Sequence, residues 1–220
     1  MAKTAGRPPR SESDIAEYRA KIAKQALAIY RAEGFEAVSM RRLAKEVGCA
    51  PMTIYAHFEG KQDILRYLWA DVLADMSNEI QGKLEQIFGP VERLQMAAQT
   101  FVSYWVDHPD HFRLVFMSND VTRSDVSTFL MDEETLAHFR MFSDLVQVVL
   151  QDDSNVKASA DTMISGMIGI ALCLNTIRDY PWTDAKIMTD RLLTSIISPC
   201  LLYTSPSPRD LSTSRMPSSA

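Results

Sequence analysis

Residues 37–68 constrain the fold most, because their pattern is that of two short helices joined by a tight turn and followed by a longer helix. Ser39 precedes the first helix, where its hydroxyl can accept hydrogen bonds from the backbone N–H groups of the first turn. Gly48 supplies the turn, since a residue without a Cβ adopts left-handed backbone angles at low cost. Pro51 is suited to the first position of the second helix. This layout is typical of a helix-turn-helix DNA reader.

The second short helix has an inner and an outer side. Ile54 and Phe58 are four residues apart, so we expect both to face the core. The remaining positions are expected on the outer faces, where some can enter a major groove: Met52, Thr53, Tyr55, Ala56 and His57.

The same region resembles the N-terminal domain of the TetR family of one-component bacterial transcription regulators. The resemblance covers residues 20–68. It implies an all-α protein with an N-terminal three-helix helix-turn-helix DNA-binding domain and a larger C-terminal helical domain for ligand binding and dimerisation. Three runs carry it, namely Ser39-Met40-Arg41-Arg42-Leu43-Ala44, Val47-Gly48-Cys49-Ala50 and Thr53-Ile54-Tyr55-Ala56-His57-Phe58-Glu59-Gly60-Lys61.

The resemblance also implies which residues contact double-stranded DNA. Tyr55 and Lys61 are expected on phosphates, where a phenol donates a hydrogen bond and an ammonium adds charge to the positive end of a helix. For Tyr55, packing against the domain is the alternative. Thr53 and His57 can contact phosphates or base edges. Sequence readout is expected from Arg41, Ala50, Pro51 and Met52, although methyl and thioether groups offer little hydrogen bonding.

Charge is unevenly divided along the chain. Residues 1–66 carry 12 Lys and Arg against 8 Asp and Glu, whereas residues 67–220 carry 11 against 20. The net charge of −5 therefore combines a basic N-terminal part with an acidic remainder. This division supports DNA contact by the N-terminal part.

Composition predicts four segments. Residues 1–12 contain Lys3, Arg7 and Arg10 among glycine and prolines, which indicates a flexible basic arm that either touches DNA or is inert. Residues 13–62 form the DNA-binding domain, and residues 63–199 form the ligand-binding and dimerisation domain. Residues 200–220 are rich in Ser and Pro, so we expect a disordered tail that is not native sequence.

The second domain is predicted to contain a long helix from Gly60-Lys61, which connects the two domains, and several further amphipathic helices. A helix over 156–179 has a nearly continuous apolar centre in which Gly166, Gly169 and Ala171 permit close helix approach. The last two helices are the candidate homodimer interface, as a four-helix bundle. Aromatic and Met side chains are the candidate lining of a ligand cavity, with plain core as the alternative: Trp105, Phe112, Phe116, Met117, Phe139, Phe142 and Met167.

Other chemistry is not indicated. His108 and His111 lack a third ligand, so we favour a helix bend over a metal site and expect no cofactor. Cys49, Cys173 and Cys200 are widely spaced, which fits neither disulfides nor metal binding, and for Cys49 packing is favoured over oxidant sensing. No catalytic motif is present in the sequence, so we expect no enzyme.

These observations predict a ligand-responsive transcriptional regulator, most simply a repressor, that binds a pseudo-palindromic operator as a homodimer and is released by an unknown small molecule. The alternative is a DNA-bound protein that recruits a protein partner without a ligand, and an all-helical enzyme is a distant third. Because no run of about 18 apolar residues and no signal peptide is recognisable, we expect a cytoplasmic protein without a membrane span.

Overall fold

The computed structural model describes residues 11–117, 133–151 and 155–203. Within these ranges the regular elements are helices, without strands, which confirms the all-α fold class. The predicted basic arm, apart from its last two residues, lies outside the described residues. The elements are α1 (Glu12–Glu33), a 3-10 helix (Phe35–Ala37), α2 (Met40–Val47), α3 (Pro51–Tyr55), α4 (Lys61–Leu84), α5 (Pro90–Asp107), α6 (Pro109–Phe116), α7 (Glu133–Leu150), α8 (Val156–Thr176) and α9 (Ala185–Tyr203).

Helix α1 begins slightly earlier than the sequence predicts, because Ser11 caps it. The Asp14 amide donates to the Ser11 hydroxyl at 3.1 Å, and the Ser11 amide donates to the Asp14 carboxylate at 3.0 Å. This reciprocal pair is a capping box with Asp at its third helical position. The helix ends at Glu33, and the φ of 83° at the following Gly34 favours glycine.

The described residues form two compact units. The first contains residues 11–72 and 113–117, and the second contains residues 73–112, 133–151 and 155–203. The boundary predicted from the sequence lies after residue 62. By packing, the first unit extends ten residues further along α4.

The first unit is a helical domain in which α2 packs on α1 and α3. Its core consists of apolar residues from every helix of the domain, including the first three turns of α4. The burial of that part of α4 explains why the packing boundary falls after the predicted one. The most buried members include Ile22, Ala26, Leu43, Ala44, Ile54, Phe58, Ile64, Leu65 and Leu114.

The second unit is built around α5, which packs on α7, α8 and α9, while these three also contact one another. Apolar residues of α5, among them Leu94, Phe101 and Trp105, are buried. A polar contact adds to this packing, since the Gln95 amide donates to the Asp190 carboxylate of α9 at 2.9 Å. Gln99 donates to the same carboxylate oxygen.

Two glycines of α8 occupy different environments. A Cβ at Gly166 would lie 2.7 Å from the Leu192 methyl groups of α9, so this glycine allows close packing within one chain. A Cβ at Gly169 would meet nothing within 4 Å. The predicted close helix approach therefore occurs at Gly166, between α8 and α9 of the same chain. Of the two glycines, Gly169 is the one that faces open space.

Helix α8 is long and apolar enough to cross a membrane by length and composition, in contrast to the sequence-based expectation. Its most apolar 18-residue window has a mean hydropathy of 1.3, and 28% of that window is buried. Gly, Ser and Thr interrupt the apolar run, which is why counting consecutive apolar residues missed it. A single such helix is weak evidence for a span. Its exposed side chains include Leu172, at 42% exposed.

The last helix extends past the predicted end of the second domain. Helix α9 continues to Tyr203, so its last four residues lie in the segment that the sequence assigns to the tail. The apolar sequence Cys200-Leu201-Leu202-Tyr203 continues the helix, whereas Ser and Pro dominate only after it. Residues 204–220 lie outside the described residues.

Candidate nucleic-acid interface and ligand cavity

The turn between α2 and α3 depends on the backbone of Gly48. Its φ and ψ of 79° and 41° are left-handed, and its amide donates to the Ala44 carbonyl at 3.0 Å. Ser39 caps α2 by accepting from the Arg42 amide at 3.3 Å, and Pro51 occupies the start of α3. These three predictions about the helix-turn-helix are confirmed.

Helix α3 presents one side to the core and the other to solvent. Ile54 is fully buried and Phe58, just after the helix, is 1% exposed, as predicted. Met52 is 76% exposed and Tyr55 is 51% exposed. The predicted DNA-contacting residues that lie at the surface are Arg41, Ala50, Pro51, Met52 and Tyr55, with Thr53 half-buried.

His57 does not lie on the outer face as predicted. Only 9% of it is exposed, and its ring centroid lies 4.9 Å from that of Tyr18 on α1. The physical reason is that the His57 amide donates to the Ile54 carbonyl, so His57, three positions after the buried Ile54, returns to the same inner side.

Lys61 begins α4 and is held by two neighbours that the sequence did not indicate. Its Nζ lies 3.9 Å from the centroid of the Phe35 ring and 3.6 Å from a carboxylate oxygen of Glu36. The Lys61 side chain is 27% exposed, whereas that of Glu36 is 81% exposed. The Phe35 ring therefore orients the Lys61 ammonium, which also forms an ion pair with the solvent-exposed carboxylate of Glu36.

Two arginines also hold the domain together. Arg42 forms a two-point ion pair with Glu33 that joins α2 to the end of α1. The hydrogen bond from Arg42 lowers the pKa of the Glu33 carboxyl, and the same bond raises the pKa of Arg42. Arg19 of α1 donates to the His57 carbonyl oxygen at 2.9 Å. Sequence spacing gave no signal for either contact, because the partners lie on different elements, 9 and 38 positions apart.

The side chains predicted to line a ligand cavity mostly form packed core. Trp105 and Phe142 are fully buried, and both make edge-to-face contacts with Phe101 at centroid distances of 6.0 and 5.5 Å. Phe112 lies 6.1 Å from Trp105 in the same kind of contact, and Met167 is also fully buried. These residues stabilise one another, so the cavity prediction is corrected to core for these four.

The other predicted lining residues are not in this core. Phe116 and Phe139 are half-buried, and Met117 is 42% exposed. Elsewhere in the second unit, open cavities bordered by described residues include the following two. A groove of about 420 Å³ is lined by Gln81, Leu84, Glu85, Arg93, Ala137, Met141, Asp144 and Leu145, and another of about 760 Å³ is lined by Val106, Asp107, Pro109, Leu174, Asn175, Arg178, Tyr180, Pro181 and Trp182.

His108 and His111 lie at the α5–α6 corner with stacked rings 5.2 Å apart. The Nδ1 of His108 lies 2.9 Å from the Tyr104 carbonyl oxygen, and that of His111 lies 2.9 Å from the Tyr104 hydroxyl. Over the described ranges, no group of three or more His, Cys, Asp or Glu side chains is placed to hold a metal ion. Cys49 and Cys173 are half-buried free thiols.

Comparison with known proteins agrees with the geometry of the first unit. Residues 22–68 match the model of the bacterial regulatory proteins of the tetR family. The N-terminal domain of the chain is a TetR-family DNA-binding domain. An HTH-type transcriptional regulator of Staphylococcus aureus (strain MRSA252) is 25% identical over 154 residues, which is 70% of this chain and 80% of that regulator.

Solved structures show the same fold at low identity. The FadR regulator of Bacillus subtilis in complex with stearoyl-CoA is 14% identical, with a TM-score of 0.65 over 81% of this chain and 97% of the other. PfmR of Thermus thermophilus, a TetR-family regulator, is 16% identical, with a TM-score of 0.57 over 80% of this chain and 97% of the other. At these identities the likeness concerns the fold, and members of this family are DNA-binding regulators rather than enzymes.

Proposed function

We propose that the chain is a homodimeric transcriptional repressor that binds a pseudo-palindromic operator and is released by a small-molecule effector in the cytoplasm. One observation carries the DNA-binding part of the proposal. Helix α3 is anchored by the buried Ile54 while Met52 and Tyr55 project from its opposite side. A short helix held in this way can enter a major groove.

The proposed DNA contacts follow from exposure. Tyr55 and Lys61 bind phosphates, and Thr53 binds either a phosphate or a base edge. Arg41 is suited to a guanine, and the methyl-bearing side chains are suited to thymine methyl groups. His57 is not proposed to contact DNA because it is buried beside Tyr18. The proposed base-reading residues are Arg41, Ala50, Pro51 and Met52.

The exposed apolar surface of α8 and α9 supports dimerisation through these helices. Leu172 on α8 and Ile187 on α9 are 42% and 49% exposed, and Gly169 leaves room for another helix. Burying this surface against a second copy would give the four-helix bundle predicted from the sequence. Two recognition helices would then reach half-sites about 34–36 Å apart.

The effector is proposed to bind the second unit. The groove of about 420 Å³ lies in the size range of small-molecule sites and combines Leu84, Met141 and Leu145 with polar side chains. The structural neighbour from Bacillus subtilis was solved with stearoyl-CoA, which makes that thioester a reasonable first probe.

The experiment is selection of bound duplexes from a random library by the full chain, followed by fluorescence anisotropy. We expect an inverted repeat with half-sites about one helical turn apart, and release of the selected duplex by stearoyl-CoA or another small molecule in a screen. Enrichment of no sequence would refute operator binding. A selected duplex bound by a monomer would refute the dimer.

A second candidate is a DNA-bound protein that recruits a protein partner and responds to no small molecule. The packing of Trp105, Phe112 and Phe142 against neighbouring rings favours it, because these side chains contact one another's rings edge to face. Operator binding that no compound in the screen alters would favour this candidate over the repressor released by an effector.

A further inference from the structure

We propose that Arg19 is a positioning residue for DNA reading, which locks the turn after the recognition helix to α1. This inference rests on the proposed operator binding and assigns Arg19 no contact with DNA. Three contacts of its guanidinium carry the inference, and all three lie within the first unit.

The first contact is with the backbone. The Arg19 Nη1 donates to the His57 carbonyl oxygen at 2.9 Å. This carbonyl belongs to the turn that ends α3, in which the His57 and Phe58 amides both donate back to the Ile54 carbonyl. Arg19 therefore holds the end of the recognition helix from a residue 38 positions earlier in the chain.

The other two contacts are with aromatic rings. The Arg19 guanidinium carbon lies 4.4 Å from the centroid of Phe58 and 5.2 Å from that of Tyr67. Phe58 and Tyr67 pack edge to face at 5.6 Å, so one cation lies against a pair of rings from the turn and from α4. A planar guanidinium can stack and donate at once, which an ammonium does less well.

These contacts matter because α3 is too short to fix its own direction. It has five residues, and neither a side-chain cap nor an acidic first turn steadies its start. Its orientation is set by the buried Ile54 on one side and by the turn at residues 56–60 on the other. Loosening that turn would leave the phosphate and base contacts present but poorly aligned, and misalignment costs specific binding more than non-specific binding.

The test compares Arg19→Met and Arg19→Lys with Lys24→Met in the full chain. Lys24 is exposed on the same helix, so its replacement removes an equal charge without touching the turn. Anisotropy is measured with the selected operator and with an unrelated duplex across a range of NaCl concentrations. Thermal melts establish that each variant is folded, and Arg19→Lys retains the charge if Arg19→Met unfolds.

We expect Arg19→Met to weaken operator binding about tenfold, to weaken binding to the unrelated duplex less, and to leave the salt slope unchanged. Arg19→Lys should lie between wild type and Arg19→Met, and Lys24→Met should keep the ratio of the two affinities. A slope lowered by about one unit with an unchanged ratio would make Arg19 a phosphate contact and overturn the proposal. Equal affinities for wild type and Arg19→Met would overturn it as well.

Amide hydrogen exchange without DNA separates failure of this inference from failure of operator binding. Arg19→Met should speed exchange at the His57 and Phe58 amides relative to those of α2, and Lys24→Met should not. If wild type selects no duplex, the proposed function fails while this measurement still tests the contact. Unchanged exchange at His57 and Phe58 would overturn the proposed role of Arg19.

Discussion

The indole Nε1 of Trp69 on α4 donates a hydrogen bond of 2.8 Å to the carbonyl oxygen of Leu114 on α6. Both residues are buried and belong to the first unit, although 45 positions separate them. Leu114 lies in the last turn of α6, which ends at Phe116. Trp69 thus satisfies a buried acceptor at the end of α6.

Replacing Trp69 with Phe should lower the free energy of unfolding by about 1–3 kcal/mol, since the Leu114 carbonyl loses a donor while much of the ring volume remains. Urea unfolding of the two proteins measures the difference. Trp182→Phe is the matched control, because the Trp182 indole donates at the same 2.8 Å to the Ile177 carbonyl in an exposed setting, where water can replace it. Equal losses in both variants would contradict this explanation.

The two glycines of α8 should respond differently to alanine. Gly166→Ala forces Leu192 to move and should destabilise the chain by about 1 kcal/mol or more, whereas Gly169→Ala should be neutral or stabilising because alanine favours helix. Thermal melts of the two variants measure this difference in stability.

For the proposed dimer, sedimentation of Gly169→Arg should show monomers of normal secondary structure, because the long charged side chain would occupy the subunit interface. An intact dimer would remove Gly169 from the interface.

Lys61 and Glu36 should have opposite effects on DNA affinity. Lys61→Ala should weaken binding to all sequences and lower the salt slope by about one unit. Glu36→Gln should strengthen binding at low salt, because the carboxylate 3.6 Å from the Lys61 Nζ no longer competes with a phosphate. Anisotropy titrations at several salt concentrations measure both effects. Unchanged affinity in Glu36→Gln would show that this ion pair is absent when DNA is bound.

The hydrogen bonds of Asp190 are expected to make the free energy of unfolding fall in acid. Burial alone would raise its pKa, but hydrogen bonds from Gln95, Gln99 and Lys186 outweigh burial and lower the pKa below the usual value. A carboxyl whose pKa is lower in the folded state than in the unfolded state stabilises the fold at pH values above its unfolded pKa, which is about 3.9 for Asp. This stabilisation is lost as the pH falls through the pKa of the folded state. The free energy of unfolding, measured between pH 6 and pH 3, should therefore fall less steeply in Asp190→Asn than in wild type. Parallel curves would exclude Asp190 as a source of the acid dependence.

Features with a local cause were predictable from the sequence. Ser39, Gly48 and Pro51 act within a few residues of themselves, so the start, turn and restart of the helix-turn-helix follow from their chemistry. His57 was misplaced because the orientation of a turn residue depends on Arg19 and Tyr18, which lie on another helix. No spacing rule contains that information.

Apolar patterns predicted burial but not empty space. Trp105 and Phe142 are buried as their periodicity indicates, yet whether rings enclose a cavity or fill it depends on centroid distances that the sequence does not specify. The two glycines of α8 illustrate the same limit. Both were identified as sites of close approach, and only the position of Leu192 distinguishes them.

Gly166 and Gly169 lie one turn apart on neighbouring faces of α8, one filled by the chain itself and the other open. If the proposed dimer forms through this helix, Gly166 serves folding of the chain and Gly169 serves recognition between subunits. Substitutions around Gly169 can alter which subunits associate while Gly166 preserves the monomer. Duplicated copies of such a regulator in one cell could thereby stop forming mixed dimers without first losing stability.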